Sequence, residues 1–598
     1  MEKKKFMSAE RKSRIATSIL LAIGVPLLVF IAVPFEIWCN NIEELNYRFA
    51  DIFAPFFVAF LICAVLIFSV LFFVPQILYK IFRGIAIGGA VMVFLQSNYL
   101  NSGVNGLVAD GTDTVVNLVG KTKVIINALI WFFVIVGFTA ASVFIKKADI
   151  VNIVSLVLAL VVCVTQILNI VTPLITTDFG EGSPTARAEK LREEDPDYQW
   201  TFLTNKNLTT FGSDRNVIVF VVDRFDANYY EGEDKALVDE YFNRFGGFTY
   251  FSDHISMYGH TYPAATYMLT GKELVWGEDR EDYFKRAYQD NDTLKTLSSL
   301  EYSVNIYTDN YYGYDDAYYF PSYVDNAERA SDESVYRDIK DKKTLALQNL
   351  KLSLYRVFPL GLKDYVGTVS SGWLNNQGRY TSSELTAPLA STDMKQTYNT
   401  LVKATENKQF TKDKAKNFSF IHISGCHDVP YDEDWNTAKG NDRYDVTISL
   451  THSLNIIDKY ITAMKEAGVY DDATIIITGD HGHPVNDYAT INGVRRTALF
   501  VKEAGKKESN LTNNKAQVSH ENLWATIFKS ENIDYDKEIF GDSIFEVNPS
   551  QNVTRKYIWH MNISSVNFKQ LEYSIVGDSS KKESWSLAKE EDKIYNLY

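Results

Sequence analysis

The sequence predicts an α-helical membrane domain with five spans, followed by an α/β domain with a mostly parallel central sheet and a small β-rich C-terminal segment. Residues 1–175 are rich in Val, Ile, Leu and Phe, in stretches close to or above the roughly 20 residues that a helix needs to cross a bilayer. The remaining residues are polar and alternate short β-branched runs with helix-like segments, as in parallel sheets covered by helices. The net charge of −14 lies mostly in this second part and argues against a nucleic-acid-binding protein.

Five apolar stretches are expected to cross the membrane. They lack amphipathic periodicity, which argues against five buried helices of a soluble protein. The stretches lie at 15–37, 53–78, 82–98, 124–145 and 150–175.

The basic residues of the connections predict the orientation. They precede the first stretch, as in "MEKKK", and they lie between the second and third stretches and between the fourth and fifth. Because basic loops stay in the cytoplasm, we expect a plasma-membrane protein with a cytoplasmic N-terminus and an extracellular position for the residues after 175. The first stretch is longer than a signal-peptide core and lacks a small-residue cleavage site, so we expect it to remain as a span.

The polar part is expected to contain three segments. Residues 176–212 are predicted to form a linker. Between 213 and 545, runs such as "RNVIVFVVD" and "ATIIITGD" predict buried strands separated by helices. Residues 546–598, which include "RKYIWHMNISSVNF", predict a small sheet. Cys426 is the one cysteine of four in the polar part, so no disulfide is expected within it.

Three side chains at strand ends form a candidate metal site. Asp223 closes "VIVFVVD", and Asp480 and His481 follow "TIIIT" in "TGDHGH". Because ligands gather at the carboxyl ends of strands in α/β sheets, the two carboxylates and the imidazole could hold a dication. The alternatives are a turn-capping carboxylate for Asp223 and a solvated loop for the other two residues.

Thr261, in "HTYPAATYMLTG", is the candidate nucleophile. It opens an apolar segment with helical spacing, so the simplest alternative is an N-cap threonine. A helix N-terminus is also a natural phosphate or sulfate site, and a hydroxyl bound to a dication becomes nucleophilic near neutral pH. We therefore expect Thr261 to be both a metal ligand and the attacking group.

Two histidines are candidates for substrate binding. His427 follows the run "NFSFIHIS" and could hold a substrate oxyanion or protonate a leaving group. His520, in "SHENLWATIF", stands at the start of a helix-like segment, where a capping or packing histidine is the alternative. His260, next to Thr261, receives no role.

The order of these motifs resembles the alkaline phosphatase and sulfatase superfamily. An Asp-ending strand, T-x-P-A-x-x-x-x-x-T-G, H-x-x-P-Y, D-H-G and S-H-x-x-L follow one another between about 213 and 545. The resemblance implies an alkaline-phosphatase-like fold for this segment. It also implies a metal held by Asp223, Thr261, Asp480 and His481, with His427 on the substrate.

Two comparisons with this superfamily narrow the expected chemistry. A sulfatase needs Cys or Ser at the nucleophile position and an arginine four residues later, and here these positions hold Thr261 and Ala265. Sulfate ester hydrolysis is therefore disfavoured, and phosphoryl chemistry through a threonine is favoured. Five N-terminal spans before an outward-facing catalytic domain are similar to lipoteichoic acid synthases and related phosphoglycerol transferases, although these synthases carry a glutamate where Asp223 stands.

This branch implies a phosphotransferase that moves a phosphoglycerol-type group from a phospholipid donor to a cell-envelope glycan or polymer through a phospho-threonine. One divalent cation is expected: manganese is the first choice for the oxygen-rich ligand set, with magnesium and, because of His481, zinc as alternatives. A hydrolase, with water in place of the acceptor, is the main rival. The other rivals are a two-metal phosphodiesterase, with Asp428, His427 and His520 at a second ion, and a catalytically inactive membrane scaffold.

Overall fold

The structure is a computed structural model, and two compact units make up the chain. One unit comprises Met1–Tyr198 and Asp332–Thr381, and the other comprises Gln199–Ser331 and Ser382–Tyr598. The residues that the structure describes are 2–42, 45, 47–102, 104, 115–145, 147–177, 189–190, 192–193, 196, 198–278, 280–308, 320–330, 339, 341–366, 394–426, 431–436, 445–483, 496–508, 510–562, 567–590 and 595–596.

Eighteen α-helices are found in the described residues, and a π-helical turn (Leu28–Ala32) joins the first two. In chain order they are α1 (Glu2–Leu27), α2 (Val33–Asn40), α3 (Phe49–Phe73), α4 (Gln76–Tyr99), α5 (Val115–Val119), α6 (Lys121–Phe144), α7 (Ala148–Thr176), α8 (Ala227–Glu231), α9 (Lys235–Phe245), α10 (Thr261–Thr270), α11 (Arg280–Gln289), α12 (Asp292–Ser299), α13 (Lys342–Val357), α14 (Leu360–Val366), α15 (Met394–Glu406), α16 (Val446–Glu466), α17 (Leu523–Ser530) and α18 (Lys537–Phe540).

The strands of the described residues all belong to the second unit. They are β1 (Trp200–Leu203), β2 (Thr210–Phe211), β3 (Arg215–Val222), β4 (Phe248–Ile255), β5 (Tyr302–Tyr307), β6 (Ala327–Ala330), β7 (Thr411–Lys412), β8 (Lys416–Ile423), β9 (Ala473–Thr478), β10 (Leu499–Lys502), β11 (Thr512–Ser519), β12 (Thr554–Asn562), β13 (Asn567–Val576), β14 (Trp585–Glu590) and β15 (Tyr595–Asn596).

The first unit confirms the prediction of five membrane spans, so the chain is a multi-pass membrane protein. Five of its helical segments are long and apolar enough to cross a bilayer: Arg11–Asn40, Phe49–Phe73, Gln76–Tyr99, Lys121–Phe144 and Ile150–Thr176.

The boundary between the second and third spans differs from the expected one. Pro75 separates α3 from α4 and is the N-cap residue of α4, whereas the sequence pattern placed it inside the second stretch. A proline disfavours helical geometry in the residue before it and is well tolerated at a helix start. The third span therefore gains the residues that the sequence assigned to the second.

A seven-stranded sheet forms the centre of the second unit and confirms the mostly parallel α/β prediction. Its strand order is β11-β4-β10-β9-β3-β8-β5. Strand β3 pairs in parallel with β8 and β9, and β5 pairs in parallel with β8. The short strand β10 is antiparallel to both of its neighbours. Residues Asn216–Val222 of β3 are all buried, which explains the unbroken apolar run of this central strand.

The C-terminal segment forms the separate sheet that the sequence predicted. Strands β12, β13 and β14 are antiparallel neighbours, and β15 also pairs with β13. Two small pairs, β1 with β6 and β2 with β7, complete the strands of the described residues. Cys426 is a buried free cysteine.

Candidate active site

Asp223 lies in a tight turn at the carboxyl end of β3. Its backbone N–H donates to the carbonyl of Ile423 (3.0 Å), so the turn is tied to the end of the neighbouring strand β8. Gly425 has φ +54°, and a Cβ atom there would lie 2.6 Å from the backbone nitrogen of Asp223. Only glycine fits this approach without displacement. The turn therefore holds the buried Asp223 carboxylate at the edge of the sheet.

Asp480 and His481 lie just beyond the neighbouring strand β9. Oδ1 of Asp480 accepts hydrogen bonds from the backbone N–H groups of Arg224 (3.0 Å) and His481 (2.8 Å). Nδ1 of His481 lies 2.7 Å from the carbonyl of Gly482. This contact leaves Nε2 of His481 on the side of the carboxylates, 3.5 Å from Asp480 Oδ2 and 3.9 Å from Asp223 Oδ1.

Thr261 is the first residue of α10 and faces these three side chains. Its Oγ1 lies 3.4 Å from Asp223 Oδ2 and 3.2 Å from His481 Nε2. The N-cap residue of α10 is His260, whose side chain makes no capping hydrogen bond. The N-cap interpretation of Thr261 is therefore wrong: its hydroxyl is directed at the acidic cluster instead of the first turn of the helix.

The four residues fit a divalent cation. Ligand atoms of Asp223, Asp480 and His481 all lie within 4.8 Å of one another, and all three residues are buried. Two buried carboxylates need compensating positive charge, and carboxylate, hydroxyl and imidazole donors together suit manganese, magnesium or zinc. The residues that could hold the ion are thus Asp223, Thr261, Asp480 and His481.

Burial and charge favour the protonation states of metal ligands. Burial lowers the pKa of His481 to about 3, against the opposing effect of the Asp480 charge. Burial alone would raise the pKa of Asp480, but its neighbour His481 and the hydrogen bond from the backbone N–H of Arg224 lower the pKa of this carboxyl. A neutral imidazole and ionised carboxylates are the forms that coordinate a cation.

His422 also lies at the site, although the sequence did not single it out. Its Nε2 is 3.8 Å from Asp223 Oδ2, and its Nδ1 is 2.9 Å from the hydroxyl of Thr308. The register of β8 places His422 opposite Val221 of β3, two residues before Asp223. A histidine within the otherwise apolar buried run "FIHI" was the signal that could have identified it.

The C-terminal sheet contacts both neighbours of Thr261. Nε2 of His260 lies 2.7 Å from the carbonyl of His560, and the hydroxyl of Tyr262 lies 3.3 Å from His560 Nε2. The backbone of Ile558 also exchanges hydrogen bonds with Met257 (2.8 Å) and Gly259 (2.9 Å). Strand β12 therefore holds the turn that leads into the candidate nucleophile.

The two remaining histidine predictions have different outcomes. His427 lies outside the described residues, as does Asp428. His520 is buried, and its Nε2 lies 3.0 Å from the carbonyl of Gly479, the residue before Asp480. Its observed contact is thus with the backbone of the turn that carries Asp480 and His481, and substrate binding by His520 stays a prediction. Within the described residues, Asp223, Asp480 and His481 are the one group that could hold a metal.

Comparisons with known proteins identify the family. A family model described as Sulfatase matches residues 215–530. No curated protein matches the chain by sequence.

Several solved structures resemble the chain at low identity. The lipoteichoic acid synthase LtaP from Listeria monocytogenes has 12% identity and a TM-score of 0.36, and the match covers 69% of this chain and 93% of that one. The phosphonate monoester hydrolase SpPMH from Silicibacter pomeroyi has 12% identity and a TM-score of 0.36, with coverage of 64% and 89%. The integral membrane lipooligosaccharide phosphoethanolamine transferase A (EptA) from Neisseria meningitidis has 14% identity and a TM-score of 0.30, with coverage of 88% and 97%.

The matched family segment covers more than half of the chain and includes all four candidate metal ligands. This chain therefore belongs to the sulfatase family.

Proposed function

We propose that this enzyme is a phosphotransferase that moves a phosphoglycerol-type group from a phospholipid donor to a cell-envelope glycan or polymer. The observation that carries the proposal is the position of the Thr261 hydroxyl, which faces Asp223 and His481 at the start of α10. Residues 213–545 would form the catalytic domain, with 176–212 as linker and 546–598 as an accessory sheet. The five spans keep the enzyme at the bilayer, where its donor is concentrated.

In the proposed reaction, the hydroxyl of Thr261 gives its proton to water, its Oγ1 attacks the phosphorus of the donor, and the bond between phosphorus and the diacylglycerol oxygen breaks. That oxygen takes up a proton, for which His427 is the candidate. The hydroxyl of the acceptor then attacks the phospho-threonine, and Thr261 regains its proton. A divalent cation bound by the three ligands, manganese by preference, would lower the pKa of the Thr261 hydroxyl. Backbone N–H groups in the first turn of α10 point toward the developing negative charge.

The surroundings of Thr261 support phosphoryl over sulfuryl transfer. Ala265, at the position where a sulfatase carries arginine, is fully buried in α10. An arginine side chain there would have to enter the core behind the site. The threonine also lacks the sulfur or primary alcohol from which formylglycine is made, so the nucleophile available to this chain is the hydroxyl itself.

The positive charge of the loops supports an extracellular catalytic unit at the plasma membrane, as the loop charges of the sequence predict. The acceptor is then a hydroxyl of the cell envelope. When water replaces this acceptor the same residues make a hydrolase, so the two outcomes differ only in the second attack.

Headgroup transfer in proteoliposomes tests the proposal. The full-length enzyme is incubated with manganese, a phosphatidylglycerol labelled in the headgroup, and an envelope glycan fraction. Wild type is expected to release diacylglycerol and to place the label on the glycan, whereas Thr261→Ala releases none. Thr266→Ala is the matched control, because this hydroxyl lies one turn further along α10 and bonds to the carbonyl of Tyr262 (2.8 Å).

Three results are distinguishable in this assay. Label on the glycan supports transfer, and label recovered as free glycerol phosphate indicates the hydrolase. Release of diacylglycerol by Thr261→Ala at the wild-type rate would contradict the proposed nucleophile.

A further inference from the structure

Helices α13 and α14 pack within the membrane unit, although soluble-type sequence precedes and follows them. Leu345, Leu352 and Val357 of α13 share a buried apolar cluster with Leu28 and Ile52 of the first two spans. Leu360, at the start of α14, shares another cluster with Val104 and Val115. We refer to residues 342–366 as the helical hairpin.

Polar contacts attach the helical hairpin to one end of the span bundle. They join Arg356 to Glu36 (2.6 Å), Lys342 to Asp51 (3.1 Å), the Asn101 side chain to the carbonyl of Arg356 (2.8 Å), and the Leu360 N–H to the Asn127 side chain (2.9 Å).

These contacts define the side of the membrane on which the helical hairpin lies. Glu36 is close to the end of the first span, and Asp51 is at the start of the second span. Asn101 follows the end of the third span, and Asn127 lies in the second turn of α6, which is the fourth span. Because successive spans run in opposite directions, these four positions share one face of the membrane. The fifth span ends on that face at Thr176, where the chain leaves toward the catalytic unit.

The helical hairpin exposes large apolar side chains although it is packed on the spans. Leu347 is 55% exposed, Leu362 48% and Tyr365 83%. The spans that it touches also expose apolar side chains, including Phe53 and Phe57 of α3 and Ile125 of α6. Such residues on a membrane span face lipid. The exposed apolar side chains of the helical hairpin therefore belong to helices that contact lipid-facing spans.

The charge of the helical hairpin also favours contact with lipid. Residues 341–366 contain five basic side chains against two acidic ones, and two of the basic side chains, Lys342 and Lys343, are exposed. Basic residues combined with exposed leucine and tyrosine are typical of helices that lie in the headgroup region of a bilayer with anionic lipids. Tyrosine in particular prefers this boundary, because its ring is apolar and its hydroxyl is hydrated.

We propose that the helical hairpin is an interfacial membrane element, embedded in the headgroup and upper acyl region of the leaflet at which the fifth span ends. Leu347, Leu362 and Tyr365 contact lipid, and the salt bridges to Glu36 and Asp51 fix the depth of α13. The catalytic sequence is thereby anchored to the bilayer at a second place, in addition to its covalent connection through α7. This anchoring is independent of the reaction proposed above.

Site-directed spin labelling of the full-length protein in phosphatidylglycerol and phosphatidylcholine vesicles tests the proposal. Single cysteines at 347, 362 and 365 are labelled in a background in which Cys39, Cys63, Cys163 and Cys426 are replaced by alanine. Accessibility to oxygen, which concentrates in the bilayer, is compared with accessibility to a water-soluble nickel chelate. Phe57→Cys is the lipid-facing control, and Leu587→Cys, at an exposed leucine of β14 in the catalytic unit, is the water-facing control.

Labels at all three positions are expected to favour oxygen over the nickel chelate, as at position 57 and opposite to position 587. Preference for the nickel chelate would overturn the proposal, because the helical hairpin would then face water. Low accessibility to both reagents would also overturn it, because another protein surface would cover these residues. Either negative result leaves the reaction at Thr261 untouched, since no part of this measurement depends on turnover.

Discussion

The Oγ1 atom of Thr261 lies 3.2 Å from Nε2 of His481, although 220 residues separate them in the sequence. The sheet creates this proximity: β9, which precedes His481, pairs in parallel with β3, which precedes Asp223. Their turns therefore open on the same edge, and the start of α10 faces both. The candidate nucleophile and the three buried candidate metal ligands therefore meet at this edge of the sheet.

Removal of one carboxylate should abolish metal binding. We expect Asp480→Asn to lose the divalent ion and to lower turnover by at least about 100-fold, because an amide is a weaker ligand without charge. Metal content is measured by mass spectrometry of the purified protein, and wild type should hold one ion per chain. Asp471→Asn, in the exposed loop at the opposite end of β9 and paired with Lys507, should leave metal content and turnover unchanged. Two tightly bound ions per wild-type chain would contradict the single-metal site.

His560 is expected to position the residues beside Thr261. His560→Leu removes the contact with the Tyr262 hydroxyl, so we predict that kcat falls by about tenfold while KM for the donor and metal content stay unchanged. Tyr262→Phe removes the same contact from the other side. The double variant should lose no more than either single one, because both act on one interaction. Additive losses in this double-mutant cycle would show that the two residues act separately.

Arg555 should contribute strongly to stability. Its guanidinium is buried and donates to Asp253 Oδ1 (3.0 Å) and to the carbonyl of Gly577 (2.6 Å), which joins β12 to β4. Arg555→Met leaves the Asp253 carboxylate without this cation, so we expect a loss of about 3–5 kcal/mol in the free energy of unfolding. Lys569→Met, which breaks a more exposed ion pair with Glu590 in the same sheet, should cost less than about 1 kcal/mol. Thermal unfolding of both variants measures the two losses in the free energy of unfolding. Equal losses in the two variants would contradict the role of Arg555.

Asp226 should make the catalytic unit less stable as pH rises. Burial raises the pKa of Asp226 from 3.8 to about 7, although the amides of Asn228 and His483 act in the opposite direction. The folded state thus keeps a proton that the unfolded state releases, and this contribution to stability is complete below pH 4 and lost as pH rises through about 7. Asp226→Asn has no carboxyl group to titrate at this position, so it should not lose this contribution. The difference in melting temperature, variant minus wild type, should therefore increase as pH rises from about 4 to about 7. Parallel melting curves for the two proteins would refute the prediction.

The sequence identified residues whose position follows from local pattern. Asp223, Asp480 and His481 stand directly after buried strands, and Thr261 opens a helix; both patterns are visible within ten residues. The local sequence does not place His422 at the site, because only the pairing of β8 with β3 brings it close to Asp223. The local sequence also does not predict the contact of His560 with His260, because 300 residues separate the two histidines. The helical hairpin depends on contacts such as that of Arg356 with Glu36, 320 residues apart, which no local periodicity encodes.

The covalent step at Thr261 can be tested by trapping the enzyme during a single turnover. Wild-type enzyme is mixed with phosphatidylglycerol and manganese without an acceptor, quenched in acid, digested with trypsin and analysed by mass spectrometry. Because Lys and Arg are absent between Arg244 and Lys272, Thr261 falls in one tryptic peptide, 245–272. We predict a phosphoglycerol adduct on Thr261 in this peptide, and none in Asp480→Asn. An adduct on another residue, or diacylglycerol release under these conditions without any adduct on the protein, would contradict the account.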